Sequence, residues 1–461
     1  MEYSRTIHTR QISFLAFLIS VSTMSPPASE KPFSIAIVGG GIGGLSTAIA
    51  LRHRNISITI YESAPAFAEI GAGVGLGPNA AQAMKLIDPR MYAGFRKCGT
   101  NNAWEDRQNF WFSFRRGDAE AAKGLAEDDA EIKSAGKTGT RFCDLWCETG
   151  QTSVHRARFL DELIALVPKE VARFGKRLTD IDDNGDHVVL HFADGTSAKH
   201  SAVIGCDGIK SRTRQIVLGK DHPAAYPQFT GKYAYRGLIP MDKAAKLLGD
   251  ELARNSQMYL GKGGHILTFP IEHGATMNVV AFQTKKDGKW DDPLWVKPMD
   301  KDAMHRDFEG WVSATSEIVS LMEHPDIWAL FDHPPAPTYY KSRICLLGDS
   351  AHASTPHQGA GAGMAIEDAL ILSSVLALVN DEKDISRAFA VYDALQRPRS
   401  QKLVTTSREG GLLYDLQLPG VEEDMPKIRE LLSHRMKWLW EVDLQARAEE
   451  ARKRFTGASK I

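Results

Sequence analysis

The first clear pattern along the chain is a short apolar run that stops at a cluster of glycines. Residues 33–38 read FSIAIV, and the glycines follow at once in VGGGIGG. An apolar-periodic stretch then covers 45–54, and a second β-branched run, ISITIYE, covers 56–62. Short buried runs predict strands, and the longer periodic stretch predicts a helix. The order strand, glycine turn, helix, strand is typical of a doubly wound α/β unit.

Later patterns extend this unit and then depart from it. HVVLHFADGT at 187–196 predicts two strands joined by a turn at Asp194 and Gly195, and SAVIGCDG at 201–208 predicts a buried strand. Between 225 and 290 the chain changes to long alternating strands. These predict an antiparallel sheet and therefore a second layer or domain.

The rest of the chain returns to the first pattern before it ends in charged helices. RICLLGDSAH at 343–352 predicts one more buried strand that runs into a loop, and small residues at 359–378 predict a helix. From about 400 onward, charged helices are expected to pack on the outside. The charged, small-residue segment 117–139 is expected to be a mobile surface insertion.

Composition and charge narrow the classes of function. The 461 residues are 43% hydrophobic and 25% charged, which is the range of a globular protein with a sizeable core. The formal net charge of -1 provides no basic surface, so no nucleic-acid partner is expected. The five cysteines form no C-x-x-C pair and have no histidines at zinc spacing, which predicts reduced thiols and no metal site.

The N-terminus allows more than one interpretation. Arg5, His8 and Arg10 precede an apolar run at 12–21, which has the shape of a secretory signal. A weak membrane anchor is a second interpretation, although a run of about 11 apolar residues is too short to span a bilayer. A true start at Met24 is the third. The protein is expected to be cytoplasmic if it starts at Met24, and secretory or membrane-associated if the upstream segment is retained.

Gly39, Gly41 and Gly44 stand in G-x-G-x-x-G register between the first strand and the helix. The first allows a tight turn, the second allows close approach of a pyrophosphate, and the third allows close helix packing. Free N–H groups at the positive end of the helix would then bind phosphate oxygens. Glu62 closes the second strand, where a carboxylate accepts hydrogen bonds from ribose hydroxyls. The unit therefore predicts a dinucleotide site, without distinguishing FAD from NAD.

Two later motifs complete a family pattern. GCDGIKSRTR at 205–214 and LLGDSAHASTPHQGAGAG at 346–363, together with the glycine loop, resemble the three fingerprints of the single-component aromatic flavin monooxygenases. The similarity is closest to the salicylate hydroxylases, in the p-hydroxybenzoate hydroxylase superfamily, and covers about 33–399. It implies FAD as cofactor and NADH or NADPH as co-substrate. It also implies that one oxygen atom of O2 enters a small phenolic acid through a C4a-hydroperoxyflavin.

With this resemblance, the expected fold is α/β, with a Rossmann-like FAD-binding domain of the p-hydroxybenzoate hydroxylase (GR2) type, an antiparallel-sheet substrate domain and C-terminal helices. The predicted division is an N-terminal extension or signal-like segment at 1–32, a discontinuous FAD-binding domain at 33–100, 151–222 and 335–400, a substrate-binding sheet domain at 101–150 and 223–334, and C-terminal helices at 401–461.

The resemblance assigns further residues to the FAD site. Asp349 follows a buried strand and is expected to accept hydrogen bonds from hydroxyls of the flavin side chain. Asp207 is expected to support the FAD pyrophosphate and the passage of the nicotinamide cofactor, or else to be a turn aspartate that caps the next segment. The other expected contacts with FAD are Gly75 in the loop at 69–80, Arg156 at a helix start, and Ala362 in the glycine-rich helix start.

The resemblance also points to residues near the substrate. Arg236, in YAYRGLIP, resembles an arginine that acts near the substrate in related fungal phenol hydroxylases, and a guanidinium matches carboxylate or phenolate oxygens. An arginine on the sheet surface is the alternative. Where those relatives often carry tyrosine, this chain has Phe269, which favours a simple aromatic-acid hydroxylase. His357 is expected to orient substrate or relay a proton, or to be structural, and His352 is expected to be structural.

Several functions compete at this stage. Salicylate, with decarboxylative hydroxylation to catechol, is the leading substrate, and a polyketide-derived phenol of a biosynthetic pathway is the alternative. A plain Rossmann dehydrogenase would have no reason to carry the third motif. A flavin halogenase would show a W-x-W-x-I signature, which the sequence lacks. A non-enzymatic flavin scaffold would be expected to have damaged glycine or aspartate motifs, and these are intact.

Overall fold

The computed structural model describes residues 30–67, 73–121, 137–298, 301–322 and 325–457. The predicted N-terminal segment lies outside the described residues, apart from its last three positions. The same holds for the first residues of the predicted loop at 69–80 and for most of the predicted insertion at 117–139. Strands and helices are numbered along the chain.

The first layer is a six-stranded sheet. From one edge to the other, its strands are β19 (Tyr340–Lys341), β20 (Ile344–Leu346), β12 (Ala202–Gly205), β1 (Ser34–Val38), β2 (Ser57–Tyr61) and β8 (Ala172–Arg173). All neighbours run parallel except β19 and β20. A parallel sheet is covered on both faces, which explains why β12 is buried along its whole length. The predicted α/β fold class is confirmed.

The second layer is an eight-stranded, mainly antiparallel sheet. In spatial order its strands are β17 (Val296–Pro298), β18 (Asp326–Asp332), β13 (Gln228–Pro240), β16 (Thr276–Thr284), β15 (Gly264–Ile271), β14 (Gln257–Gly261), β5 (Phe110–Arg116) and β6 (Thr140–Trp146). Successive residues of a strand face opposite sides of the sheet. On β13, Tyr235 is therefore buried in an apolar cluster on one side, while Ala234 and Arg236 face a cavity on the other.

Two small sheets complete the strands. One consists of β3 (Gly73–Gly75), β7 (Ser153–His155) and β4 (Gly99–Thr100), and the other of β9 (Leu178–Asp183), β10 (Val188–Phe192) and β11 (Ser197–His200). The turn predicted at Asp194 and Gly195 joins β10 to β11, and Gly195 adopts φ +81° there.

The helices lie around and between these sheets. They are α1 (Ile42–Arg52), α2 (Pro78–Ile87), α3 (Pro89–Cys98), α4 (Arg156–Ile164), α5 (Arg212–Leu218), α6 (Met241–Leu248), α7 (Asp250–Arg254), α8 (Lys301–Asp307), α9 (Ser313–Leu321), α10 (Asp349–His352), α11 (Gly361–Leu376), α12 (Ile385–Tyr414), α13 (Met425–His434), α14 (Lys437–Trp440) and α15 (Leu444–Gly457). The helix predicted at 359–378 is α11, which packs against α1. Because it is almost wholly buried, its sequence has no polar face.

The C-terminal part of the chain is more closely integrated than its charge suggests. Helix α12 runs through residue 400 despite Pro398, so the predicted start of a separate unit at 401 falls inside a helix. Helix α15 lies on the outside, as predicted for the tail, with most of its residues exposed or half-buried, and only one of its faces packs into the core of the first layer. That face has helical spacing and consists of Leu444, Ala448, Ala451 and Phe455.

In the part of the chain that the structure describes, no helix is both long and apolar enough to cross a membrane. All five cysteines lie in this part, and none of them is in a disulfide. Burial raises the pKa of the Cys98 and Cys147 thiols to about 11 in each case, so both stay protonated at neutral pH.

Candidate active site

Three neighbouring cavities form one groove, because each shares wall residues with the next. Gly41 and Cys206 border the outer and middle cavities, and Arg236 and Gly359 border the middle and inner cavities. Every predicted site residue except Gly44 lines this groove. The outer cavity holds Gly39, Gly41, Glu62 and Asp207, the middle cavity Arg156, Asp349 and Ala362, and the inner cavity Gly75, Arg236 and His357.

The glycine loop has the geometry that its spacing predicts. Gly39 adopts φ +103°, and a Cβ there would lie 2.3 Å from the carbonyl oxygen of Cys206. A Cβ on Gly44 would lie 2.0 Å from the Gly39 carbonyl oxygen, so Gly44 serves close packing behind the groove. Helix α1 begins after Gly41 with no side-chain cap, which leaves its first N–H groups available to an anion.

Glu62 lies at the end of β2 with its carboxylate held by the backbone. Its Oε2 accepts a hydrogen bond from the N–H of Gly40 at 2.7 Å, and its Oε1 accepts one from the N–H of Ala64 at 2.8 Å. A carboxylate has about four acceptor sites. Glu62 therefore retains the capacity to accept from ribose hydroxyls in the outer cavity.

The carboxylate of Asp207, unlike that of Glu62, is occupied by hydrogen bonds from its own motif. Its carboxylate accepts from the hydroxyl of Ser211 at 2.6 Å, and from the N–H and hydroxyl of Thr213 at 2.9 and 3.0 Å. This is the arrangement of a turn aspartate that caps the next segment, here the start of α5. The geometry favours that alternative over direct contact between this carboxylate and FAD.

A buried arginine joins the second and third motifs. Arg214 donates from Nε to the carbonyl of Ala224 at 2.6 Å, and from Nη1 to the carbonyls of Ser350 and Ala351 at 3.0 and 2.6 Å. Burial lowers the pKa of Arg214 to about 10. These bonds fix α10, whose first residue is Asp349.

The starts of α4, α10 and α11 border the middle cavity, together with two charges. Asp349 begins α10 with its side chain exposed to the groove, and Arg156 begins α4. Burial lowers the pKa of Arg156, and the charge of Asp349 opposes that shift. Ala362 lies in the first turn of α11, which has neither a side-chain cap nor an acidic residue there. The groove therefore receives a second positive helix end.

His352 ties α10 to α11. Its Nε2 lies 2.6 Å from the carboxylate of Asp368, which also accepts from the N–H of Gly348 and from Gln396. Burial alone would lower the pKa of His352, but the charge and hydrogen bond of Asp368 outweigh it, and the pKa is raised. This contact supports the predicted structural role.

The inner cavity is small and mostly apolar. It encloses about 140 Å³. Its apolar wall consists of Trp111, Phe112, Met258, Leu267, Phe269, Val280, Phe282 and Leu330. Its polar side chains are Gln151, Arg236, Trp328, His357 and Gln358.

Several of these polar groups are buried without a partner. Among the described residues, no group hydrogen-bonds to Arg236 Nε, Trp328 Nε1, Gln151 Oε1 or either ring nitrogen of His357. Buried polar atoms in folded proteins are nearly always hydrogen-bonded. Their concentration around one cavity therefore indicates a polar ligand.

Arg236 faces this cavity and not the outer surface of the sheet. Its guanidinium carbon lies 4.8 Å from the centre of the Trp328 ring, a cation–π contact. Burial lowers the pKa of Arg236 to about 10, and the like charge of Arg156 adds to the effect. The group stays protonated at neutral pH and offers a positive charge at the junction of the two cavities.

His357 lies on the opposite side, against α12. A Cβ at Gly411 would lie 2.7 Å from Cε1 of His357, so the ring occupies a notch that this glycine provides. Its centroid is 5.0 Å from that of Phe282. Burial, and then the nearby His265, lowers the pKa of His357 well below its ordinary value, so the ring is neutral.

Sequence reasoning found Phe269 but missed Gln151, Trp328 and the other aromatic walls of the inner cavity. Trp328 pairs directly with Ala234 across β18 and β13, which places both on the cavity face. The one sequence signal for Trp328 is the two-residue alternation in WALF at 328–331. This alternation shows neither which face of the strand lines the cavity nor which strand lies next to it.

The groove fits FAD on the evidence of its own residues. The uncapped starts of α1 and α11 offer N–H groups to the pyrophosphate and to the electron-rich edge of a flavin ring. Glu62 suits the adenosine ribose, and the glycines around Ala362 leave space for a flat ring beside the inner cavity. Arg156 and Asp349 would contact the middle of the cofactor.

Comparison with known proteins agrees with this geometry. Residues 37–68 match the model of an NAD(P)-binding Rossmann-like domain, and residues 309–407 match that of an FAD binding domain. The fold and groove define an FAD-dependent oxidoreductase.

Full-length relatives narrow the class. The chain is 46% identical over 423 residues to the 6-methylsalicylate 1-monooxygenase of Aspergillus terreus, covering 91% of each chain. It is 39% identical to a salicylate hydroxylase of Pseudomonas putida, over 94% of this chain and 97% of that one. A solved salicylate hydroxylase substrate complex superposes with a TM-score of 0.80 at 34% identity, covering 92% of this chain and 98% of the other. The chain belongs to the salicylate hydroxylase-like family of FAD-dependent monooxygenases, and the predicted class and cofactor are confirmed.

Proposed function

We propose that this monooxygenase hydroxylates a small phenolic acid of the salicylate type, with NADH or NADPH as reductant. One observation carries the proposal. Two unpaired donors, Arg236 Nε and Trp328 Nε1, belong to neighbouring residues on the wall of a mostly apolar cavity that adjoins the flavin part of the groove. Both salicylate hydroxylase and 6-methylsalicylate monooxygenase among the relatives are named for such acids.

The two donors suit the carboxylate of the substrate. A guanidinium binds a carboxylate through charge-assisted hydrogen bonds, and the indole N–H adds one neutral donor from the same side. Because Arg236 is mostly removed from water, this attraction is stronger than at an exposed site. The carboxylate would thereby orient the ring across the cavity.

The remaining walls hold the ring and exclude water. Phe112, Leu267 and Phe269 contribute apolar surface with no hydroxyl donor. Excluding water protects a reactive oxygen species from decay. When bound, FAD reduced by the nicotinamide cofactor supplies the activated oxygen.

One charge favours ionisation of the phenol, and one ring provides a place for its proton. The Arg236 cation stabilises a phenolate, and His357 has unpartnered ring nitrogens in the wall of the same cavity. An ionised phenol is electron-rich at the ring carbons ortho and para to its oxygen. We therefore assign Arg236 to substrate binding and activation, and His357 to proton transfer.

The direct test combines spectroscopy with product analysis. Purified protein should show a flavin spectrum, and salicylate should stimulate oxidation of NADH or NADPH with formation of catechol and one CO₂ per turnover. A hydroxylated acid formed without CO₂ would mean that hydroxylation leaves the carboxyl group in place. A flavin spectrum without stimulation by any phenolic acid would overturn the proposal.

The alternative substrate, a polyketide-derived phenol, is tested in the same assay. The assay includes 6-methylsalicylate, the methylated acid for which one relative is named. One methyl group in an apolar pocket changes kcat/KM by about 10- to 200-fold. The ratio of kcat/KM for 6-methylsalicylate to that for salicylate therefore decides between the two acids.

A further inference from the structure

A cluster of buried charges lies behind the inner cavity. It consists of Lys232 on β13, His265 on β15 and Asp415, which follows α12, with exposed fractions of 4%, 0% and 0%. Nδ1 of His265 lies 2.6 Å from Oδ1 of Asp415, and Lys232 pairs with the other carboxylate oxygen. Thr284 donates to that same oxygen at 3.0 Å. None of these residues lines the cavity, and the proposed function does not use them.

The cluster reaches the cavity wall through aromatic rings. The ring of His265 stacks on Phe282, with centroids 4.3 Å apart and an interplanar angle of 12°. The centroid of His265 is 5.3 Å from that of His357. Phe282 and His357 both line the cavity, so His265 lies directly behind the wall.

Three ring nitrogens meet at this place without partners. Within the described ranges, neither His265 Nε2 nor either nitrogen of His357 has a hydrogen-bond partner, and all three are buried. Buried nitrogens left in this state indicate that a further polar species joins them in the working enzyme. One water that bridged the two rings would provide a partner for two of these nitrogens.

The charges in the cluster determine which nitrogen of His265 carries the proton. Burial alone would raise the pKa of Asp415, but His265 and Lys232 hold it below its ordinary value, so Asp415 is ionised. Burial lowers the pKa of His265, against the opposing charge of Asp415. A neutral His265 then donates a hydrogen bond from Nδ1–H to the carboxylate and presents Nε2 as an acceptor.

The other charged groups near His357 belong to different elements. Arg435 follows α13, and Tyr414 ends α12 with its ring centroid 6.5 Å from that of His357. Lys232 and Arg435 both lower the pKa of His357, while Asp415 raises it. Asp415 is the one negative charge among the largest influences on the pKa of His357.

We infer that Asp415 is a positioning residue for the reaction: through His265 it fixes an acceptor nitrogen beside His357 and so completes a path for the phenolic proton. The inference rests on the proposed function. The O–H bond of the phenol breaks, its electron pair stays on oxygen, and the proton binds one nitrogen of His357. The other nitrogen of His357 passes a proton through one water to His265. The resulting imidazolium pairs with Asp415, and nothing is oxidised or reduced.

The test measures ionisation of a bound substrate analogue, independently of turnover. The probe is a nitro-substituted salicylate, whose phenolate absorbs at longer wavelength than its phenol, bound to the FAD-loaded enzyme across a pH series. Asp415→Asn alone would leave Lys232 as an unpaired buried charge, so it is combined with Lys232→Met. His265→Gln, which keeps a polar side chain of similar size, is the second variant.

Both variants should raise the apparent pKa of the bound probe by about one unit, a tenfold change in the ionisation constant. They should also lower kcat about tenfold with KM, FAD content and melting temperature unchanged. The control is Asp332→Asn with Arg408→Met, which removes another buried carboxylate and its partner on the same sheet and helix, neither of which lines the inner cavity. The control should keep the wild-type profile.

Three other outcomes overturn the inference. If the variants ionise the probe as wild type does, Asp415 has no part in proton transfer. If kcat, FAD content and stability fall together and KM rises, the role of Asp415 is structural. If wild-type enzyme binds no phenolic acid at all, the proposed function fails, and the inference fails with it.

Discussion

The guanidinium of Arg236 stacks on the indole of Trp328, and each side chain keeps a buried donor without a partner in the described structure. The two residues lie on adjacent strands, β13 and β18, and face the same cavity. The pair is the proposed binding site for the carboxylate of the substrate.

Removing the cation should impair the use of substrate and spare the cofactor. Arg236→Ala should keep FAD but slow substrate-dependent NAD(P)H oxidation by about ten- to a thousand-fold, the loss typical of an oriented catalytic contact. Arg236→Lys keeps the charge without the bidentate geometry and should recover part of the rate. Rates of NAD(P)H oxidation at saturating and at limiting salicylate would measure kcat and kcat/KM. An unchanged rate in the alanine variant would remove Arg236 from the site.

The indole N–H is tested separately from the ring. Trp328→Phe keeps an aromatic surface under Arg236 and deletes the donor. Since a hydrogen bond to a charged group contributes about 1.5–3 kcal/mol, affinity for the acid should fall at least about tenfold. Titration of the flavin spectrum with salicylate measures this affinity. A matching loss for an uncharged phenol would show that the variant disturbs packing and not carboxylate binding.

Asp349 should be required to retain FAD. Its carboxylate is exposed to the groove at the start of α10, and Asp349→Ala should lose bound flavin, seen as loss of the yellow colour. Asp207→Asn is a useful contrast, because that carboxylate is engaged by Ser211 and Thr213. Asp207→Asn should weaken FAD binding less than Asp349→Ala does. Full FAD occupancy in the Asp349 variant would contradict the assigned role.

Two adjacent glycines of α12 should respond in opposite ways. In a helix, Gly→Ala ordinarily adds about 0.5–1 kcal/mol of stability. Gly410→Ala should follow this rule, because its Cβ would meet the flexible end of Arg435 at 3.2 Å. Gly411→Ala would instead displace His357, and turnover should fall about tenfold or more with FAD retained. If the two variants had the same stability and the same turnover rate, the space that Gly411 leaves for the His357 ring would not be required for turnover.

The His352–Asp368 contact predicts a pH dependence of stability. The pKa of His352 is raised in the folded protein, so its contribution is fully present below the unfolded value of about 6.5 and is lost as pH rises through the folded value. His352→Gln should lower the melting temperature most at acidic pH, by about 2–4 °C for each kcal/mol lost. The gap to wild type should narrow at alkaline pH. If the difference in melting temperature between the variant and wild type did not depend on pH, the contribution of the contact to stability would not require a charged His352.

The nucleotide half of the groove could be predicted because its signals are local. A glycine turn, a helix start and a terminal acid lie within one β-α-β unit, so their spacing along the chain is also their spacing in space. Gly39, Gly44 and Glu62 therefore lie where the sequence places them. The role of Asp207 could not be predicted in the same way. Whether its carboxylate contacts FAD or Ser211 and Thr213 of its own motif depends on the direction of its side chain, which the sequence does not show.

The sequence by itself determined the α/β class, the dinucleotide loop and the family, since these depend on periodicity and on contiguous motifs. The tertiary structure decided the substrate half of the site. Register between distant strands brings Trp328 beside Arg236, and the end of α12 places Gly411 and Asp415 behind His357. A shift of one residue in pairing would turn every side chain of a strand to the other face, and no local pattern in the chain encodes that choice.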